Sequence, residues 1–559
     1  MGEIMIINKM KDGKTIYKAW RENGERKYEM IDFKPYFYIK SEENRPPKYR
    51  ASKYITRDFE YEDGNWVNLN NEPLTKVYVD SANDIREAKK LFSKTYEADV
   101  PLHFRYCVDE LHEMPEYKLR KWYWDMEWQQ GGEYHDCITT IVMYDNYDEE
   151  YHQWVWFPTE KSPIDIFDNS LEIDNVYYCR NEEHMLEDFM RTMIVKDPDM
   201  LIAWFGNFAD IPKLLERACA VGLNPCIMSP VGSIKGIRKG KDGYTFAYSE
   251  NGFSPIEQPI GGRITLNLDL AFERQWNDSQ RGTLPSLSLD YIGEMVLNKK
   301  KLVSEKFSDT NEFYRKAWLE DSETYLQYAL RDVELLVELD EKNFCSEAIL
   351  SLQRLLKAPF DACFYASHMG SIYFMRNAWW KAPTGEKVEN RQEYEGAMIY
   401  DPLSEETNGL HLNVAAFDFA GLYPSMMIAR NISFETKSKE PTEFGVNILT
   451  PRDFSEVKDV KMLYYKTDKL GLLPKAVLEL KELRNEYKRL MREARESDNG
   501  EYAKWYNNQM AVKRLMASFY GIVAFQGFGW ADVDLAASIT ASAREAIRLA
   551  AFKAKEMEI

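Results

Sequence analysis

Apolar residues along this chain repeat with a period that changes by region. Residues 1–105 alternate apolar and polar positions in TIYKAW, YFYIKS and VYVDS, which predicts strands, and close on a helical stretch near IREAKKLFSKTYEA. From 106 to 345, strand-like runs such as KWYWDMEW and CITTIVMYD alternate with helical ones such as EEHMLEDFMRTMIV, the signature of an α/β domain. Residues 346–395 read as mainly helical. Strands are expected at YEGAMIYDP and at the start of FDFAGLYPSMM, followed by a polar, irregular region at 435–470. Two helices are predicted from 475 to about 519, split by the turn ESDNGE, and a last one over DLAASITASAREAIRLAAFKAKEME. No internal repeat or low-complexity tract interrupts this pattern.

At 559 residues the chain is too long for one domain, and 45% hydrophobic with 14% aromatic residues is ample for packed cores. It contains no apolar run of membrane-spanning length, and MGEIMIINKMKDG carries neither a signal h-region nor a myristoylation pattern. The seven cysteines are scattered without a CxxC pair, which argues against zinc ribbons and disulfide frameworks and suits a reducing, cytoplasmic setting (the host cytoplasm for a viral protein). The net charge of −19 weighs against nucleic-acid binding only weakly, because a local groove can be basic on an acidic protein and clustered metal-binding acids push the total down.

The acids carry the chemistry. In KWYWDMEW, Asp125 and Glu127 stand two apart on a predicted strand and so share a face. Two carboxylates side by side in an apolar strand repel unless a cation or proton intervenes, and oxygen ligands suit Mg2+ or Mn2+; the plain alternative is a solvated edge strand. Asp210, in LIAWFGNFADIPKLLERA, follows a strand-like run and precedes a helix, where a simple N-cap would also account for it. Tyr328 and Asp332, in TYLQYALRDVELLVEL, are four apart on one helix face, equally readable as a buried tyrosine bonded to a surface acid. Further on, KAVLELKELRNEYKRLMREAR pairs an apolar stripe with a basic one that includes Arg484 and Lys488, although interspersed glutamates also fit a solvated face. YNNQMAVKRLMASFYG sets Lys513, Ala517 and Tyr520 on one face, suited to covering a flat base and gripping a phosphate.

In this order, DxE, a second acid and YxxxD resemble the three motifs of DnaQ-like 3′–5′ exonucleases. DFAGLYPSMM resembles motif A of family B DNA polymerases, KRLMASFYG resembles motif B, and YEGA at 394–397 resembles the YxGG/A motif between their exonuclease and polymerase parts. The resemblance runs from FKPYFYIK through LPSLSLDYIGEMVL to the last helix. It implies an α/β and α+β multidomain protein: an N-terminal mixed β domain (1–105), an RNase H-like exonuclease domain (106–345), the first part of a palm (346–474), a helical fingers hairpin (475–525) and a palm helix (526–559). It further implies two divalent ions, Mg2+ or Mn2+, per active site. Asp125, Glu127, Asp210 and Asp332 would be the exonuclease ligands, with Tyr328 orienting water. Asp418 would be a polymerase metal ligand. Phe419, Leu422, Tyr423, Arg484, Lys488, Lys513 and Tyr520 would bind the incoming dNTP, and Asn207, Tyr394 and Gly396 the primer-template DNA.

The sequence departs from the family pattern at three places. Phe205 and Ala209 stand where the exonuclease motif has an asparagine and an aromatic, with Asn207 as the expected stand-in; Ala517 replaces the motif B asparagine; Gly421 replaces the motif A serine. No D-T-D of motif C follows motif B. Asp532-Val-Asp534 comes too soon, and capping of the last helix by Asp534 accounts for it better. The resemblance therefore implies the large part of a split or truncated polymerase, whose second subunit brings motif C and thumb, with a sliding clamp as a further partner and a DNA rather than a protein primer. A free-standing exonuclease with a vestigial polymerase part, and a degenerate DNA-binding scaffold, are the competing readings.

Overall fold

The computed structural model describes residues 6–114, 118–158, 175–248, 252–278, 282–302, 304, 306–307, 310–398, 409–410, 412, 414, 418–448, 461–498 and 500–557. The chain divides into two compact units, and it crosses between them more than once. The first comprises residues 1–11, 15–32 and 111–364; the second comprises 12–14, 33–110 and 365–559.

A six-stranded mixed sheet forms the centre of the first unit, in the order Val176–Cys179, Glu150–Trp156, Ile138–Asp145, Lys121–Trp128, Met200–Ala203, Ile264–Asn267. Lys121–Trp128 lies inside it, antiparallel to Ile138–Asp145 and parallel to Met200–Ala203. Its alternation fixes its orientation: Trp122, Trp124 and Met126 are buried on one face among Met185, Phe189 and Met193. Each aliphatic side chain so buried, Met143 and Ile141 among them, contributes about 1.5–3 kcal/mol. Asp125 and Glu127 are thereby committed to the opposite face, and a register shift at Glu127/Trp128 marks a bulge beside them. That face is covered by the helix Ser322–Asn343, whose Tyr325, Leu326, Ala329, Val333 and Leu336 are buried.

An N-terminal antiparallel sheet of Ile6–Lys9, Thr15–Glu22 and Glu25–Asp32 belongs to the same unit. It is tied there by buried charges. Asp199 accepts from Arg21 Nε at 2.5 Å and from Arg26 Nη2 at 3.1 Å, and Arg263 Nη1 reaches Asp197 at 2.8 Å. Such pairs hold register when every partner is present and are costly to break one-sidedly.

The second unit joins a four-stranded sheet, in the order Glu60–Val67, Pro73–Tyr78, Tyr36–Lys40, Thr95–Tyr96, to a mainly helical remainder. Leu472–Ser497 and Tyr502–Ala524 are two long helices, with Asp498 in the left-handed conformation that ends the first. The last helix, Val533–Glu556, is capped by Asp532, whose side chain accepts from the Leu535 N–H at 3.2 Å. This corrects the expectation that Asp534 caps it: Asp534 sits within the first turn and pairs with Lys461 at 2.7 Å. The strand expected at the start of FDFAGLYPSMM begins on Phe417, outside the described residues; Asp418 and Phe419 are not in a strand. Likewise 394–398 of YEGAMIYDP are irregular, and 399–402 lie outside the described residues.

Candidate active sites

In the first unit, the strand places Asp125 and Glu127 on one face and the helix Ser322–Asn343 brings Asp332 to them. Carboxylate oxygens of the three lie within 4.8 Å of one another. Asp210 lines the same cleft of about 370 Å3. It is the first residue of the helix Asp210–Ala220, whose cap position is Ala209, so the N-cap reading does not apply. A helix N-terminus still favours a carboxylate there.

Electrostatically the cluster is unresolved. Burial, then the charges of Asp210, Asp332 and Glu127, hold the Asp125 carboxyl well above the usual range. Burial, followed by Asp332, pushes Glu127 up to about 8, and burial pushes Asp210 up to about 7. Burial also raises Asp332, against the pull of Lys301, and Asp332 Oδ1 is buried with no hydrogen-bond partner. An all-oxygen donor set with an unpartnered buried oxygen fits a hard divalent ion.

Two further groups enter. Lys301 Nζ donates to Asp332 Oδ2 and, at 3.1 Å, to the Tyr328 hydroxyl. Burial alone would lower the Lys301 ammonium, but Asp332, Asp125 and Glu127 hold it above its ordinary value. Tyr314 and Tyr328 share a hydroxyl hydrogen bond of 2.7 Å, so the Tyr328 oxygen is fixed from two sides. Neither Lys301 nor Tyr314 sits at a spacing that periodicity relates to the acids.

Asn207 does not stand in for a DNA-contacting asparagine. It is wholly buried, and its amide donates to the carbonyls of Ser254, Pro255 and Glu257 at 3.0, 3.3 and 2.7 Å. The residues that reach the surface of this loop are Phe205 and Phe208, 41% and 56% exposed. Asn207→Ala strands those carbonyls and is expected to cost about 1–3 kcal/mol of stability in urea unfolding of the chain.

In the second unit, Gly421 has φ +69 and starts the helix Leu422–Ala429. A serine there would be strained, which explains the departure at this position. Asp418 and Phe419 precede this turn and are exposed. Leu422 opens the helix, and the Tyr423 ring lies 4.6 Å from that of Tyr520, whose hydroxyl meets that of Tyr394 at 3.0 Å. Arg484 donates to Gln509 at 3.2 Å across the two long helices. Burial, followed by the neighbouring charges of Arg484, Lys513 and Arg492, lowers the Lys488 ammonium. Ala517 is exposed on the Lys513–Tyr520 face. Arg544, buried on the last helix, donates to the carbonyls of Glu395 and Gly396 at 2.7 Å each, and Thr540 also donates to Glu395 O. Glu395 and Gly396, next to Tyr394, are thus held by two residues that no sequence pattern singles out.

The model of DNA polymerase family B matches residues 371–557, and that of the DNA polymerase family B exonuclease domain matches 112–258, together more than half of the chain. The chain belongs to DNA polymerase family B. It carries that family's exonuclease domain, and all four acids of the first cleft but Asp332 lie inside the matched range. A DNA polymerase of Pyrococcus glycovorans is 25% identical over 98% of this chain and 67% of its own length. The DNA polymerase delta catalytic subunit of Candida albicans is 25% identical over 66% of this chain and 35% of its own. In fold, the family B DNA polymerase of Pyrobaculum calidifontis superposes with a TM-score of 0.70 at 18% identity, over 99% of this chain and 72% of that one. The family B chain thus spans about two thirds of the length of the archaeal relative.

Proposed function

We propose that the chain is the major part of a DNA-directed DNA polymerase with a working 3′–5′ exonuclease. The observation that carries the exonuclease reading is the meeting of Asp125, Glu127 and Asp332 within 4.8 Å, with an oxygen of Asp332 buried and unpartnered. Asp125, Glu127, Asp210 and Asp332 would hold two Mg2+ ions, which when bound supply charge stabilisation and a more acidic water for phosphodiester hydrolysis. Tyr328, its hydroxyl fixed by Tyr314 and Lys301, orients the attacking water. The Lys301 ammonium offsets negative charge at the cluster and is placed to stabilise charge that builds on the scissile phosphate.

In the polymerase half, Asp418 and the Phe419 carbonyl would hold the catalytic ions, while Arg484, Lys488 and Lys513 grip the triphosphate. Tyr423, Leu422 and Tyr520 line the sugar and base, and Tyr394 and Gly396 meet the DNA. These residues position a primer 3′-hydroxyl and an α-phosphate, and positioning with charge neutralisation is most of what such chemistry requires. Among the described residues, Asp418 joins no group of three metal-ligating side chains, and Asp532 and Asp534 are engaged by Lys437 and Lys461. We therefore place the second polymerase carboxylate on further polypeptide, corresponding to the third of the archaeal relative's length that the match does not span.

The test is degradation of a 3′-labelled single strand and extension of a primer-template, each with Mg2+. Degradation by the chain alone is expected; its absence at every Mg2+ and Mn2+ concentration overturns the exonuclease reading. Lys301→Ala is expected to slow degradation about 10²-fold, the order seen when one preorganised stabilising group is lost, measured by single-turnover cleavage.

A further inference from the structure

The cleft of the first unit has a wall that its acids do not explain. Four aromatic side chains line it, Trp128, Trp204, Phe205 and Tyr314, and Phe205 is the exposed one, at 41%. Trp204 is buried, its indole N–H donating to Leu287 O at 2.8 Å, and the Tyr314 hydroxyl is bound to that of Tyr328. An exposed ring on an outer surface is ordinary; on the wall of a cleft it borders whatever the cleft holds.

The loop that carries Phe205 is fixed. Phe205 O accepts from the Phe208 and Ala209 N–H groups at 2.9 Å each, Asn207 N–H donates to Asn267 Oδ1 at 2.9 Å, and Asn207 O accepts from Phe253 N–H at 2.8 Å. The ring meets that of Trp204 at 76°, with centroids 6.4 Å apart. Phe205 is therefore already ordered, and a planar partner gains contact with it at little further loss of freedom.

The charges of the cleft say which partner suits that ring. Asp125, Glu127, Asp210, Asp290 and Asp332 line it against one lysine, Lys301, whose ammonium is bound to Asp332. Divalent ions would answer the acids at the scissile phosphate. Among the described residues lining the cleft, no further cation is present to grip the neighbouring phosphates. A strand is then to be held there through its bases, and every base offers a flat π face.

We propose that Phe205 is the base-stacking residue of this cleft, taking one face of a base at or next to the 3′ end of the single strand. This rests on the exonuclease reading. It also accounts for the departure from the family pattern: where that pattern has an amide, this chain offers a ring, and the Asn207 amide is bound inside the protein. Stacking reads no hydrogen-bonding edge, so all four bases are accepted.

The full chain in Mg2+ is given labelled single strands, and single-turnover cleavage is followed against protein concentration, which separates half-saturation from maximal rate. Phe205→Ala is expected to raise the half-saturating concentration about fivefold or more, the loss of one base–aromatic stack, with a smaller effect on maximal rate. Phe205→Trp keeps the affinity. Phe208→Ala removes the other exposed ring of the loop, which is not among the residues lining the cleft, and leaves both parameters alone. Strands lacking the base at the last or the penultimate position test the same contact on the unaltered protein. One of them is expected to need about fivefold more protein or more, and Phe205→Ala to handle that strand as well as the unaltered chain does. Equal half-saturation for Phe205→Ala, Phe208→Ala and the unaltered chain, or indifference to both missing bases, overturns the proposal while the exonuclease reading stands. No degradation by any of these proteins removes that reading, and the proposal with it.

Discussion

Asp125→Asn is expected to abolish 3′-end degradation, by about 10³-fold or more, and at the same time to raise the melting temperature of the metal-free protein. Both effects follow from one geometry. Asp125 faces Glu127 and Asp332 across less than 5 Å, with Asp210 in the same cleft, and burial keeps the carboxyls protonated far above their usual range. Losing a group that merely supports a metal ligand costs about 10–100-fold, so losing a ligand that the cluster shares costs more. Without metal, however, the cluster is a liability, since buried like charges destabilise whatever holds them together. The amide keeps the shape without the cost of holding a proton that the unfolded carboxylate has released, and a gain of about 1–2 kcal/mol is expected. The sign with pH follows from the raised carboxyls. Glu127 at about 8 and Asp210 at about 7 bind protons in the folded state that the unfolded chain has already released above about 4.5. The metal-free protein should therefore lose stability as pH rises from about 4.5 to 8, with Asp125→Asn losing less. Thermal melts in EDTA and in Mg2+ across that range are the measurement. Unchanged degradation by Asp125→Asn, or a melting temperature indifferent to both pH and Mg2+, would show that the cluster binds no functional ion.

The parts of this cleft that the sequence made legible are those set by local periodicity. The pairing of Asp125 with Glu127 follows from the two-residue repeat of a strand whose tryptophans must go inward, and Tyr328 with Asp332 follows from the helical repeat. Lys301 was not legible because nothing local relates it to Asp332; a helix and an irregular stretch carry it there, with its N–H bound by Asp290. Asn207 illustrates the opposite failure. Its position in the chain suggested an exposed polar contact, but the backbone of 254–257 needed donors and took its amide. The same limit applies to the fold. The strands and helices of the first unit could be anticipated from alternation. That residues 15–32 pack with 111–364 depends on Arg21 and Arg26 meeting Asp199, a pairing across more than 170 residues that no pattern announces. In the second unit, the two basic helices and their shared face were readable, whereas the clamp of Arg544 on Glu395 and Gly396 was not.

Asp418→Asn should behave differently from Asp125→Asn in every respect except the size of the catalytic loss. The residue is exposed, ahead of the left-handed turn at Gly421, and belongs to no group of three metal-ligating side chains among the described residues. Its substitution should therefore change stability by less than about 0.5 kcal/mol, as for most surface positions, with no dependence on Mg2+. Degradation by the first unit should continue at the unaltered rate. Extension is where the loss falls. With polypeptide added to supply the remaining third of the archaeal relative's length, the unaltered chain is expected to extend a primer, and Asp418→Asn to do so about 10³-fold more slowly. A carboxylate that neutralises charge on transferring phosphoryl oxygens acts only in the transition state, so the loss should appear in kcat with the dNTP KM little changed. Arg484→Ala and Lys513→Ala, whose charges grip the triphosphate before reaction, should raise KM as well. Vigorous extension by the chain alone would dispose of the need for added polypeptide while leaving the Asp418 comparison intact. Equal extension by Asp418→Asn and the unaltered chain would instead remove Asp418 from the polymerase site.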